Sequence, residues 1–125
     1  MQVITNPVFT ENERKLLEFV LTRNFAEKAA VIAQLNQMKS ADITRDVTSL
    51  YWIMEFRPSG MNSGYDAMRP CVDFEILHKD GTAPTEFTLY ERNGIVFELE
   101  IHNADSSPLN FDTIMDGELR IHLNS

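Results

Sequence analysis

The sequence predicts an α+β domain in which two N-terminal antiparallel helices pack on one face of an antiparallel sheet of about four to six strands. Apolar residues recur at helical spacing as far as Met38, and from Ala41 onward the period changes to two. Asp80-Gly81, Asn93-Gly94 and Asp116-Gly117 punctuate the second half with turn signals. At 125 residues the chain is close to one domain in length, so one core over 1–125 is expected.

Thr10-Glu11-Asn12-Glu13 has the form of a capping box, in which the Thr hydroxyl accepts from the third backbone N–H and the Glu reaches back. Leu16, Leu17, Val20 and Leu21 then line one stripe, giving a helix near 11–22. Asn24 to Glu27 repeats the cap more weakly, and Val31, Ile32, Leu35 and Met38 mark a second helix near 25–38. The short join makes the two antiparallel neighbours. Residues 43–47 read as a short edge strand. Leu50, Trp52, Met54 and Phe56 alternate with Tyr51, Ile53, Glu55 and Arg57, a strand apolar on both faces. The run RPSGMNSGYDAMRP at 57–70 mixes turn formers with large residues, and a loop of that length is expected to be functional or mobile.

The following strands can be registered from their turns. A two-residue Asp80-Gly81 loop sets Val72 against Leu89 and Phe74 against Phe87. A two-residue Asn93-Gly94 loop would set Leu89 against Glu98 and mix the faces. A three-residue Arg92-Asn93-Gly94 loop sets Leu89 against Phe97 and Phe87 against Leu99 instead. Both hairpins then agree on one apolar face: Val72, Phe74, Ile76, Phe87, Leu89, Phe97, Leu99 and Ile101. Leu119, Ile121 and Leu123 alternate in a last strand, so the sheet spans about 43–123.

Composition excludes several classes of function. Eleven Lys and Arg against nineteen Asp and Glu leave a net charge of −8, unsuited to binding duplex nucleic acid. A hydrophobic share of 43% excludes a disordered chain. The single Cys71 excludes a disulfide framework and a multi-cysteine zinc module, and is expected to be a packed, reduced thiol. Met1 to Val8 has neither a basic residue nor an apolar core, so no secretory leader is expected. No apolar run approaches the roughly 20 residues of a membrane span. The expected compartment is the cytoplasm, with no membrane partner.

The acidic charge is polarised. Residues 1–70 balance eight acidic against eight basic groups, whereas residues 71–118 hold eleven acidic groups against Lys79 and Arg92. The register lines up Glu75, Glu86 and Glu100 on the second face, then Asp73, Thr88 and Glu98, then Cys71, Tyr90 and Val96. One reading is a solvated face that aids solubility. The sharper one is a docking surface for a basic partner, with Tyr90 and Tyr51 as aromatic anchors. Its candidate residues are Asp73, Glu75, Glu86, Tyr90, Glu98 and Glu100. A divalent cation on Asp73, Glu75, Glu86 and Glu100 is the weaker reading, because a flat sheet lacks the wrapping loop and carbonyl ligands of such sites. No metal and no cofactor is expected.

Catalytic patterns are missing from the sequence: there is no G-x-S-x-G, no H-E-x-x-H and no phosphate-cradling Gly-rich loop. Among His78, His102 and His122, only His102 with Glu98 suggests a general base, and a surface histidine is the default. The expectation is a protein that is not an enzyme.

The run FTENERKLLEFVLTRNFAEKAAVIAQLNQM resembles the opening of a family of small bacterial proteins of unknown function. There an x-T-x-x-E-R-x-L-L helix is followed by a D-F corner and an L-x-x-Q-L helix. DFEILHKDG and TLYERNGIVFELEIHNAD resemble that family's hairpins and its L-E-[VI]-x-x-x-D strand, so the likeness covers about positions 9–105. The family's usual Phe-Pro-Gly corner is Phe25-Ala26-Glu27 here. Some relatives are immunity proteins of contact-dependent growth-inhibition and other polymorphic-toxin systems. The resemblance implies a cytosolic protein that neutralises a cognate toxin domain, and it transfers no catalytic residue. A basic, nuclease-type toxin domain would match the acidic charge. The alternative is a stand-alone small-molecule-binding domain or enzyme built on the 57–70 loop.

Overall fold

In the computed structural model, which describes residues 3–57, 69–92 and 95–124, two helices precede six strands, the α+β arrangement predicted. Helix α1 (Glu11–Val20) begins on the expected capping box. The Glu13 amide donates to Thr10 Oγ1 at 3.2 Å, and the Thr10 amide donates to Glu13 Oε1 at 2.8 Å. Helix α2 (Lys28–Gln37) starts three residues later than expected. Asn24 stays exposed. Phe25 turns into the core instead, and Glu27 stands at the N-cap without a side-chain bond.

The segment before α1 is strapped to both helices. Glu18 accepts from the amides of Val3 and Ile4 at 2.7 and 3.2 Å. Asn6 Nδ2 donates to the carbonyls of Leu35 and Met38 at 2.9 and 2.7 Å, satisfying groups that the end of α2 would otherwise orphan.

The strands are β1 (Ile43–Val47), β2 (Tyr51–Phe56), β3 (Arg69–Leu77), β4 (Thr85–Arg92), β5 (Ile95–Asn103) and β6 (Glu118–Asn124). They form one antiparallel sheet in the order β1-β2-β5-β4-β3-β6. Both helices lie on its apolar face. Phe19 of α1 meets Phe74 and Phe87 edge-on at 5.7 and 5.4 Å, while those two rings stack on each other at 5.0 Å. Gln34 of α2 bonds both backbone groups of Val96, at 2.9 and 3.1 Å. Arg45 of β1 ion-pairs with Glu13, which is only 3% exposed, so the edge strand is pinned to the start of α1. Burial alone would raise the Glu13 carboxyl; the Arg45 and Thr10 bonds outweigh it and hold the group below its ordinary range.

The first hairpin keeps the expected pairs, Val72 with Leu89 and Phe74 with Phe87. Its turn is wider than two residues. The ladder opens after Ile76 and Thr85, because Pro84 has no N–H to extend it. Gly81, at φ +82°, donates to the His78 carbonyl at 3.3 Å to close the turn.

The second hairpin corrects the predicted register by two positions. Leu89 lies opposite Leu99, not Phe97, and Phe87 opposite Ile101, not Leu99. The ladder runs on to Arg92 opposite Ile95, leaving only Asn93 and Gly94, which lie outside the described residues, to connect the strands. This is the two-residue spacing that seemed to mix the faces. A β-bulge resolves the conflict: Val96 pairs with Glu91 and Glu98 with Tyr90, so Phe97 is left unpaired and parity is restored. Val96 takes the core position and is fully buried. The Phe97 ring leaves the helix-side cluster and sits against the guanidinium groups of Arg57 and Arg92, at 5.7 and 5.5 Å.

Among the described residues, no helix is long and apolar enough to cross a membrane.

Gly117, at φ +145°, packs so closely that a Cβ there would lie 2.2 Å from the Leu77 carbonyl oxygen; at Gly81 nothing lies within 4 Å. Gly117→Ala should therefore cost about 2–3 kcal/mol in urea unfolding, adding overlap to backbone strain. Gly81→Ala, with strain alone, should cost about 1 kcal/mol. Equal losses would show that the contact at Leu77 relaxes freely.

Candidate functional site

The face of the sheet turned away from the helices holds the candidate residues, in rows that follow from the pairing. Arg120, Glu75, Glu86, His102 and Tyr51 form one row from β6 to β2. Asp73, Thr88, Glu100, Ile53 and Asp46 form the next, and Pro70, Tyr90, Glu98, Glu55 and Thr44 the third. The predicted neighbours of Glu75 and Glu86 are thus corrected: His102 stands where Glu100 was expected. Glu100 moves opposite Thr88, and Glu98 opposite Tyr90. The two-position shift at the Phe97 bulge causes all three changes. A second bulge, at Cys71, puts Pro70 beside Tyr90. Cys71 itself is buried, as its burial habit predicts, with Sγ 3.4 Å from the Leu89 carbonyl. Burial first, then the charges of Glu27 and Glu91, push its thiol up to about 12.

The face separates into compensated and uncompensated halves. Glu75 is paired with Arg120 at 3.2 Å and with His122 at 3.6 Å, both from β6. Glu86 pairs with His102 at 2.8 Å, which corrects the suggested His102–Glu98 pair. Arg57 is committed to Glu55 at 2.9 Å. Asp73 accepts from the Thr88 hydroxyl at 3.2 Å. Among the described residues, no Lys, Arg or His forms an ion pair with Asp73, Glu98 or Glu100.

That imbalance has titration consequences. Burial, then the charges of Glu100 and Glu55, push the Glu98 carboxyl up to about 7, against a smaller opposing effect of Arg57. Burial also leads for Tyr90, followed by a hydrogen bond to Glu100 and the charges of Glu100, Glu98 and Asp73; its phenol is pushed up to about 12. Chemically the Tyr90–Glu98–Glu100 group can hold a proton or receive a cation against an aromatic ring.

The structure therefore brings Tyr90, Glu98 and Glu100 together, and sets Glu75 in an ion pair with Arg120 and Glu86 against the His102 ring. Sequence reasoning missed Glu55, Arg120 and His122. The alternation of β2 had already placed Glu55 on one face, but no local signal named β5 as its neighbour. Among the described residues, no group of three or more His, Cys, Asp or Glu is placed to hold a metal ion. Most of the 57–70 loop (58–68) lies outside the described residues. Its flanking Arg69 pairs with Glu91 at 2.8 Å. At the opposite end of β3, a cleft of about 560 Å³ is lined by His78, Lys79, Asp80, Thr113, Met115, Asp116 and Gly117.

No family model, no curated protein and no solved structure matches the chain.

Because the folded-state value of Glu98 is raised, that site binds more protons in the native state than in the unfolded chain between about pH 4.5 and 7. Its contribution to stability is complete below that window and is lost as pH rises through it. Glu98→Gln should therefore stabilise the protein at pH 8 by on the order of 1 kcal/mol, discounted for solvent access, and flatten the pH profile across the window. A profile unchanged by the substitution would place the proton elsewhere.

Proposed function

We propose that the open face of the sheet docks a basic protein domain, and that the protein acts by binding rather than by catalysis. The observation that supports this reading best is the uncompensated acidic group. Asp73, Glu98 and Glu100 stand beside Tyr90 without an ion-pair partner among the described residues, on a face that both helices leave open. Like charges crowded on a sheet cost stability, and a cationic partner surface would relieve that cost. The net charge of −8 extends the attraction beyond the contact itself.

The biological setting rests on the resemblance of the Phe9–Met38 run and the two hairpin segments to a family that includes immunity proteins. On that basis the partner is a cognate toxin domain of the basic, nuclease type, and the protein is its cytoplasmic immunity protein. A small acidic domain can neutralise a nuclease by covering the surface that its nucleic-acid substrate would use.

The test is affinity capture from native lysate with wild-type protein and with the Glu98→Gln/Glu100→Gln double variant in parallel, followed by identification of what binds. A basic protein retained by the wild type and lost with the variant is the expected result. A partner held equally by both would move the interface off this face. With the purified partner, the double variant should slow association by about tenfold at low salt and flatten its salt dependence. Tyr90→Ala should act on dissociation instead, costing about 2 kcal/mol as truncation of a central aromatic anchor does.

A further inference from the structure

Like charge crowds Glu98 on the open face. Glu55 lies directly opposite it on β2, Tyr90 lies directly opposite on β4, and Glu100 follows two positions along β5. Glu98 itself is only 9% exposed. Its side chain is hydrogen-bonded to that of Glu100, and the Tyr90 phenol is hydrogen-bonded to Glu100 as well. The polarity of both bonds follows from the groups. A bond between two carboxyls requires one hydrogen, because ionised carboxylates only accept. Tyr90 keeps its phenolic hydrogen throughout the neutral range and donates it to Glu100. Glu100 is thereby the common acceptor, and the hydrogen between the carboxyls stays on Glu98, the more enclosed of the two.

Among the described residues, the nearby cations are taken up elsewhere. Arg57, just past β2, is committed to Glu55 at 2.9 Å. His102, next on the open face of β5, meets Glu86 at 2.8 Å, and Arg120 of β6 is paired with Glu75. From β3, Asp73 adds negative charge toward Tyr90. From β1 come Thr44 and Asp46, one strand beyond Glu55 and Ile53. Both helices lie on the opposite face.

We propose that docking of a basic partner exchanges this hydrogen for one cationic side chain: an ammonium or guanidinium takes its place between Glu98 and Glu100, and the proton leaves to solvent. The exchange rests on the open face being a docking surface, and it adds the condition that governs docking there. The free protein holds the hydrogen because neighbouring carboxylates repel. The partner's cation relieves the same repulsion, so one positive charge replaces another. Glu100, Tyr90 and Glu55 are only partly buried, which leaves the group reachable from solvent. Because binding displaces a proton, affinity must fall as protons become more abundant. Burial, then the charges of Glu100 and Glu55, push the Glu98 carboxyl up to about 7, so affinity should rise about tenfold from pH 6 to pH 8.

Two measurements on the intact protein test the exchange. In the free protein, side-chain carboxyl 13C shifts should show Glu98 titrating near pH 7, and Glu100→Gln should move that midpoint toward the ordinary carboxylate range. The probe for binding is a short peptide made only of arginine, whose guanidinium groups stay charged throughout. Calorimetry at low salt, in two buffers of different ionisation enthalpy, should find close to one proton released per peptide at pH 6 and almost none at pH 8. Glu98→Gln, which imitates the protonated carboxyl, should remove that release and the tenfold gain; titration of the histidines is common to both proteins and cancels in the comparison. A Glu98 carboxyl already ionised at pH 6, or peptide binding whose pH profile Glu98→Gln leaves unchanged, overturns the exchange. Peptide bound by the wild type and lost with Glu98→Gln/Glu100→Gln, yet without proton release, overturns the exchange alone and leaves the docking face standing. A wild type that binds no better than that double variant at either pH overturns both.

Discussion

Everything on this sheet depends on keeping two faces apart. Side chains alternate along a strand, so one residue gained or lost in a connection would send the next strand's apolar set into solvent. The connection of β4 to β5 is such a case, because two residues between Arg92 and Ile95 give the wrong parity for the strand beyond. Phe97 absorbs the difference as an unpaired residue, and from Glu98 onward the alternation is correct again. The bulge therefore sets the core partners of Leu89 and Phe87 together with the acidic neighbours of Tyr90. It also moves one large aromatic ring from the core to a place between two arginines, where its apolar area is covered by guanidinium planes.

The helical layer is held to the sheet by polar devices at its ends and by aromatic contact at its centre. Glu13 is at once the reciprocal half of the α1 cap and the anchor of Arg45 on β1, so one carboxylate joins a helix terminus to an edge strand. Gln34 performs a related task for α2, using its amide to bond the backbone of Val96 beside the bulge. Both contacts link segments that are distant in sequence. Between them the Phe19, Phe74 and Phe87 rings fill the interface.

These long-range contacts also explain which features could be read in the sequence. The α1 cap was legible because Thr10 and Glu13 are three residues apart; Arg45 was not, because nothing local ties it to Glu13. The β3–β4 register was legible because parity and turn agreed. For β4–β5, parity was legible but the offset was not, since a bulge leaves the alternation intact on both sides of itself. Face membership of Asp73, Glu75, Glu86, Tyr90, Glu98 and Glu100 followed from alternation alone. Their grouping did not. Whether a carboxylate meets His102, Arg120 or another carboxylate depends on strand order and on an offset of two residues. The late start of α2 has a simpler cause: burying Phe25 yields more than a weak cap at Asn24.

The strand order also constrains the route by which this sheet assembles. The β3-β4-β5 meander joins neighbours in sequence, and its hairpins close short loops. The two flanking pairings do not. Tyr51 meets His102, and Leu77 meets Glu118, across about forty to fifty intervening residues. Loop-closure entropy must be met before such contacts return anything, so they are slow to form. A nucleus in the meander is the economical start, with the β1–β2 hairpin joining along β5 and β6 along β3. On such a route the acidic residues of β3, β4 and β5 would be drawn together before Arg120 arrives to offset Glu75. Mutual repulsion within the nucleus would then oppose the folding step itself, making the refolding rate sensitive to ionic strength.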